Sequence, residues 1–293
     1  MEEATLKPWH GIGVEVDANL SSREMLYKAK LDWEVSKIPS QRPKSYGNQE
    51  TIRFFKGFFE AGEADIETVG GLDAARILWG LARLNEDFTL QGGDEVKGYV
   101  LLASRDEGRE KIEVQFLVVR ESCHNMLKIP SNAKPSVKNI FRRTFKPTFP
   151  FLNQKAQKFD EEMQQKASAM VAQGREAIAA FVDNAQHLVN KKVAEPIAYM
   201  FDVFQPDADV SIIGENAWKE LAENKTRLAI EAFSKAPGQE LESSSNTAWG
   251  LLNAVTYIID HQLGSNQDSR LRQAWFGPNA KLKKRALDLA LAL

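Results

Sequence analysis

Lys97-Gly-Tyr-Val-Leu-Leu-Ala-Ser104 and Lys111-Ile-Glu-Val-Gln-Phe-Leu-Val-Val-Arg120 decide the fold. The second stretch alternates apolar and polar residues at its start, the period of a strand with one buried face, and both are rich in β-branched and aromatic residues. Arg105-Asp-Glu-Gly-Arg109 between them is a hairpin-like turn, and Gln91-Gly-Gly-Asp94 is a turn before the first. Ile77 to Leu84 is apolar and short, compatible with helix or strand by pattern, but its place before a turn and a hairpin favours strand. Residues 76 to 120 therefore read as an antiparallel three-strand meander.

On the N-terminal side, Trp9 to Val16 reads as extended. Ser21 and Glu24 have the spacing of a capping box, and the predicted helix they open buries Met25, Ala29 and Trp33 before Ile38-Pro39 closes it. Glu50 to Ala61 places Ile52, Phe54, Phe55, Phe58 and Phe59 on a wide helical face. Beyond Phe151 the composition turns helical. Asn153 to Lys192 predicts one long helix, or two broken near Gly174. Shorter helices are expected over 199–204, 215–233, 247–263 and 279–293. The expected fold class is α+β: a three-strand antiparallel meander packed with helices, followed by a mainly helical half. The division falls into residues 1–151 and 152–293, the second part being either a separate domain or a continuation of the first.

Composition narrows the function. The 293 residues are 43% hydrophobic and 27% charged, with net charge −2, so the chain has the make-up of a globular protein without a global positive field. A single cysteine, Cys123, excludes an internal disulfide and fits a reducing compartment. The acidic start lacks the basic and apolar segments of a signal peptide, and no run is long enough to span a bilayer. A cytoplasmic protein without membrane contact is expected.

No catalytic constellation stands out. His10, His124, His187 and His261 form no metal-ligating pair, and Cys123-His124 are sequence neighbours whose side chains diverge. Gly70-Gly71 and Gly92-Gly93 lack the lysine and hydroxyl of a phosphate loop and read as turns. Asp260-His261 reads as a local polar contact, with Thr256 one helical turn from Asp260. No metal and no cofactor are expected. A metal-dependent nuclease would have to draw on Asp94, Glu95, Asp106 and Glu107 at the meander turns, where acids are ordinarily solvated.

The most unusual segment runs from Met126 to Phe159. It contains no Asp or Glu but carries Lys128, Lys134, Lys138, Arg142, Arg143, Lys146, Lys155 and Lys158, interleaved with Phe141, Phe145, Phe149 and Phe151. Cations neutralise phosphates, and aromatic rings stack on unpaired bases. The bland alternative is a solvated loop with phenylalanines in the core. A second basic group, Arg270, Arg272, Lys281, Lys283, Lys284 and Arg285, reads as an ordinary solvated face.

Five segments, in order, carry a resemblance: Lys7-Pro-Trp-His-Gly-Ile-Gly13, Glu67 to Arg76 with Trp79, Tyr99 to Gly108, Val118-Val-Arg-Glu-Ser-Cys-His-Asn-Met-Leu127, and Trp249 to His261. Together they resemble the phage/plasmid-like protein family, a domain of unknown function. The chain departs from that pattern at Ala74-Ala75-Arg76, at His124-Asn125-Met126, and near Phe141, where a family histidine has no match. The resemblance implies a mobile-element protein of DNA metabolism. The meander followed by a helix is also similar to single-strand annealing proteins of the RecT, Erf and Redβ kind, which bind single-stranded DNA in a basic groove as rings or filaments. The expectation is thus a homo-oligomeric, non-catalytic protein that binds single-stranded DNA through Arg120, Lys128, Lys134, Lys138, Arg142, Arg143 and Lys146, with Phe141 and Phe145 ordering bases. The rival is an interaction protein that inhibits a host defence or restriction system.

Overall fold

The computed structural model describes residues 7–10, 12–15, 48–73, 76–105, 111–130, 161–205 and 215–293. Among them a six-stranded sheet replaces the expected three strands. Its strands are β1 (Gly13–Glu15), β2 (Asp65–Leu72), β3 (Ile77–Leu90), β4 (Asp94–Arg105), β5 (Lys111–Arg120) and β6 (Asn125–Lys128). They lie side by side in chain order, and every pairing is antiparallel. The expected meander is its centre, β3 to β5. The extra strands sit at the flanks, where short length or a glycine pair weakens the sequence signal.

Gly70 and Gly71 are strand residues of β2 rather than a turn, paired with Trp79 and Leu78. The reason is steric. A Cβ on Gly70 would lie 2.5 Å from Cζ2 of Trp79, so the glycine makes room for the indole. Gly92 and Gly93 do form the β3–β4 turn, with φ of 75° and 77°, a region open to glycine without steric cost.

Seven α-helices are described: α1 (Asn48–Ala61), α2 (Glu161–Asn190), α3 (Pro196–Phe204), α4 (Glu215–Lys235), α5 (Ala248–Tyr257), α6 (Gln267–Phe276) and α7 (Pro278–Ala292). A π-helical turn, Ile258–Gln262, continues α5. The expected helix over 21–38 lies outside the described residues. The long helix is single: α2 runs unbroken through Gly174.

Both faces of the sheet are covered, which is why β4 and β5 read as nearly continuous apolar runs. On one face, Val96, Val100, Leu102, Val114, Phe116 and Val118 join Phe54, Phe55, Phe58 and Phe59 of α1 and apolar residues of α2 to α5 and α7. Each fully buried phenylalanine contributes roughly 1.5–3 kcal/mol by leaving water. This core draws on both sides of residue 151. On the other face, Trp9, Trp79, Tyr99, Leu101, Leu117, Val119 and Met126 pack with Leu271 and Trp275 of α6. The Trp79 and Trp275 rings meet edge to face at 5.1 Å. Helix α6, which no reading of the sequence predicted, therefore closes the second face. Gln267 at its start donates to the carbonyl of Pro8 at 3.0 Å and fixes the N-terminal segment.

Gly174 gives a sharp test. In most helix interiors Gly→Ala stabilises by up to ~1 kcal/mol. Here an added Cβ would lie 2.0 Å from the Phe116 ring. Gly174→Ala should instead destabilise by about 1–3 kcal/mol through overpacking, read from urea unfolding; a stabilised variant would refute this packing.

Candidate functional site

The polar residues of the described structure converge where the ends of β4, β5 and β6 meet the helical half. The β4–β5 pairing brings the start of β4 beside the end of β5, and with it Asp94 beside Arg120. Both are buried, with Arg120 2% exposed. Arg120 Nε donates to both Asp94 oxygens at 2.7 and 2.9 Å. Its Nη2 donates to the Gly238 carbonyl and to Ser244 Oγ, each at 2.7 Å. Asp94 Oδ2 also accepts from Ser243 Oγ at 2.7 Å and from Trp249 Nε1 at 2.9 Å. The pair thus ties two strands to the 236–247 loop and to α5, whose first turn is capped by the Thr247 hydroxyl.

A second buried pair lies at the sheet edge. Asp260, in the π turn, is ion-paired with Lys283 of α7. Asp260 Oδ2 accepts from the Met126 amide at 2.8 Å, and Lys283 Nζ donates to the Met126 carbonyl at 2.8 Å. The ion pair occupies the amide and the carbonyl of Met126 in the edge strand, groups that would otherwise be open to another strand. Burial pushes the Asp260 carboxyl up and the Lys283 ammonium down, and each partner opposes the other's shift. Asp260 is therefore matched with Met126 and Lys283. Thr256, the neighbour suggested by sequence, instead donates to the Asn253 carbonyl. Between the two pairs, Asn125 Nδ2 donates to the Asn253 carbonyl at 2.9 Å.

Cys123 and His261 lie beside this edge. Burial pushes the Cys123 thiol up despite the opposing field of Arg120, so it stays protonated, unlike an activated nucleophile. His261 stacks on Tyr257 at 4.7 Å and is hydrogen-bonded to the backbone of Cys123. Burial lowers its pKa from 6.5 to about 4, against that hydrogen bond, with Lys283, His124 and Arg270 adding to the fall.

These positions revise the expected site. Arg120 is removed from the phosphate-binding set, because it is enclosed and committed to Asp94. Lys128 is at the surface, its side chain 52% exposed and 3.5 Å from Glu113. Lys134, Lys138, Phe141, Arg142, Arg143, Phe145 and Lys146 lie outside the described residues. Of the carboxylates considered for a nuclease, Asp94 is enclosed, Glu95 is exposed, and Asp106 and Glu107 lie outside the described residues. Among the described residues no group of three or more His, Cys, Asp and Glu is placed to hold a metal ion, and no helix is long and apolar enough to cross a membrane. The second basic group is dispersed: Lys283 is buried, Lys284 pairs with Asp288, and Arg285 donates to the Gln205 carbonyl.

The segments that carried the family resemblance prove to be contact partners. Lys7 pairs with Glu67, and Trp9 meets Tyr99 edge to face. The 118–127 and 249–261 segments meet through Asn125–Asn253 and Met126–Asp260. Residues 37–275 match the family catalogued as a domain of unknown function, DUF932. The chain belongs to that family. No curated protein and no solved structure matches it. The contacts among these motif residues hold the sheet against the N-terminal segment and the helical half.

His261 supplies the pH prediction. It stays neutral in the fold down to about pH 4, whereas the unfolded chain takes up the proton below 6.5. Its contribution is present above pH 6.5 and is lost as pH falls toward 4. The thermal midpoint of His261→Gln should therefore fall less than that of the parent chain between pH 7 and pH 4.5. Parallel pH profiles would contradict this.

Proposed function

We propose that this DUF932 protein binds single-stranded DNA, without catalysis, through the basic, aromatic-containing tract that leaves the sheet at β6. The observation that carries the reading is the tract itself: eight cations and no acid between Met126 and Phe159. Because the whole chain has a net charge of −2, the remainder is net negative, and this segment stands out as a local concentration of positive charge. The tract begins at the exposed Lys128 and ends just before α2. Lys134, Lys138, Arg142, Arg143 and Lys146 neutralise phosphates, and Phe141 and Phe145 stack on bases.

In this reading the protein brings complementary strands together by screening their repulsion, and base pairing supplies the free energy. Annealing of that kind needs no cofactor. It favours a homo-oligomer that lines up the tracts of several copies while the acidic remainder faces away. The setting suggested by the motif resemblance is phage or plasmid DNA metabolism in a bacterial cytoplasm. No described feature favours the rival reading of a host-defence inhibitor.

Fluorescence anisotropy with a labelled single-stranded oligonucleotide across a salt series tests the proposal. Binding should weaken with salt. In Arg142→Ala/Arg143→Ala the slope of log K against log salt should shrink by about 1.4, two lost phosphate contacts at ~0.7 each. No binding at low salt, or binding indifferent to salt, would refute it.

A further inference from the structure

Two buried polar atoms in the network have no hydrogen-bond partner within the chain: Nη1 of Arg120, a donor, and Oδ1 of Asn125, an acceptor. Both residues line one small cavity, together with Val96, Val118, Trp249 and Thr256. The amide of Asn125 cannot turn to solve the mismatch without loss, because its Nδ2 is held by the Asn253 carbonyl at 2.9 Å. The guanidinium is likewise held, by Asp94 on Nε and by Gly238 and Ser244 on Nη2. A fixed donor and a fixed acceptor therefore belong to two residues that line a common space.

That space is about 10 Å³, close to the volume one water needs and too small for most other ligands. We infer that a single internal water binds here, accepting from Arg120 Nη1 and donating to Asn125 Oδ1. Its second proton finds an acceptor in Thr256 Oγ1, whose own proton goes to the Asn253 carbonyl at 3.1 Å. Three polar partners are typical of a conserved internal water. The water completes the polar connection from Asp94 through Arg120, Asn125 and Asn253, and so joins the first buried cluster to the sheet-edge strand that carries Met126. A polar joint of this kind holds β5, β6 and α5 at a fixed spacing, while the apolar walls keep it from exchanging freely.

A high-resolution crystal structure of the full chain tests the assignment. It should show one fully occupied water peak within hydrogen-bond distance of both Arg120 Nη1 and Asn125 Oδ1. An empty cavity, or an Asn125 side chain turned to accept directly from Arg120, would overturn it. In solution, oxygen-17 relaxation dispersion should count one fewer long-lived water in Asn125→Leu than in the parent chain. An unchanged count in the folded variant would equally overturn it.

Discussion

The structure depends on the buried Asp94–Arg120 pair. Removing two charges from water costs several kcal/mol per ion unless geometry and further hydrogen bonds compensate. Here the carboxylate accepts from Arg120, Ser243 and Trp249, and the guanidinium reaches the 236–247 loop as well. The pair needs β4 and β5 in register, and its remaining hydrogen bonds and its burial need the helical half docked. Slipped alternatives would leave one of these charges without its partner, so the pair favours the in-register arrangement of sheet and helices. The Asp260–Lys283 pair does similar work at the open edge, where it substitutes for a missing neighbouring strand.

The legible parts of the fold were those set by local pattern. The β4 and β5 stretches, the Gly92-Gly93 turn and the phenylalanine face of α1 follow from periodicity and turn chemistry. Gly70-Gly71 misled, because the glycine pair answers a partner in another strand, Trp79, and only the register reveals it. Helix α6 was missed although Asn266 caps it by accepting from the Ser269 amide. Its arginines give it the pattern of a charged surface, while the residues that define it, Leu271 and Trp275, pack against a distant sheet. The π turn has no local signal at all, since Asp260 reaches Met126 and Lys283 through tertiary contact.

Arg120 shows the same limit at the candidate site. In sequence it stands at the end of a strand shortly before a basic tract and reads as one more cation for phosphate. Its partner Asp94 opens the preceding strand, and a hairpin places those two ends together. The meander alone implies that juxtaposition. What separates Arg120 from Lys128 is burial, which a one-dimensional pattern does not contain.

The central claim is a division of labour: enclosed cations hold the fold, and the cations of the acid-free tract are the ones we propose for ligand binding. Urea unfolding of Arg120→Ala beside Lys128→Ala tests it most directly. Arg120→Ala leaves Asp94 buried without its counter-charge and should lose about 3–5 kcal/mol, whereas Lys128→Ala should stay within about 0.5 kcal/mol of the parent chain. An Arg120→Ala chain as stable as the parent would contradict the account, because the pair on which the sheet and helices depend would then be dispensable.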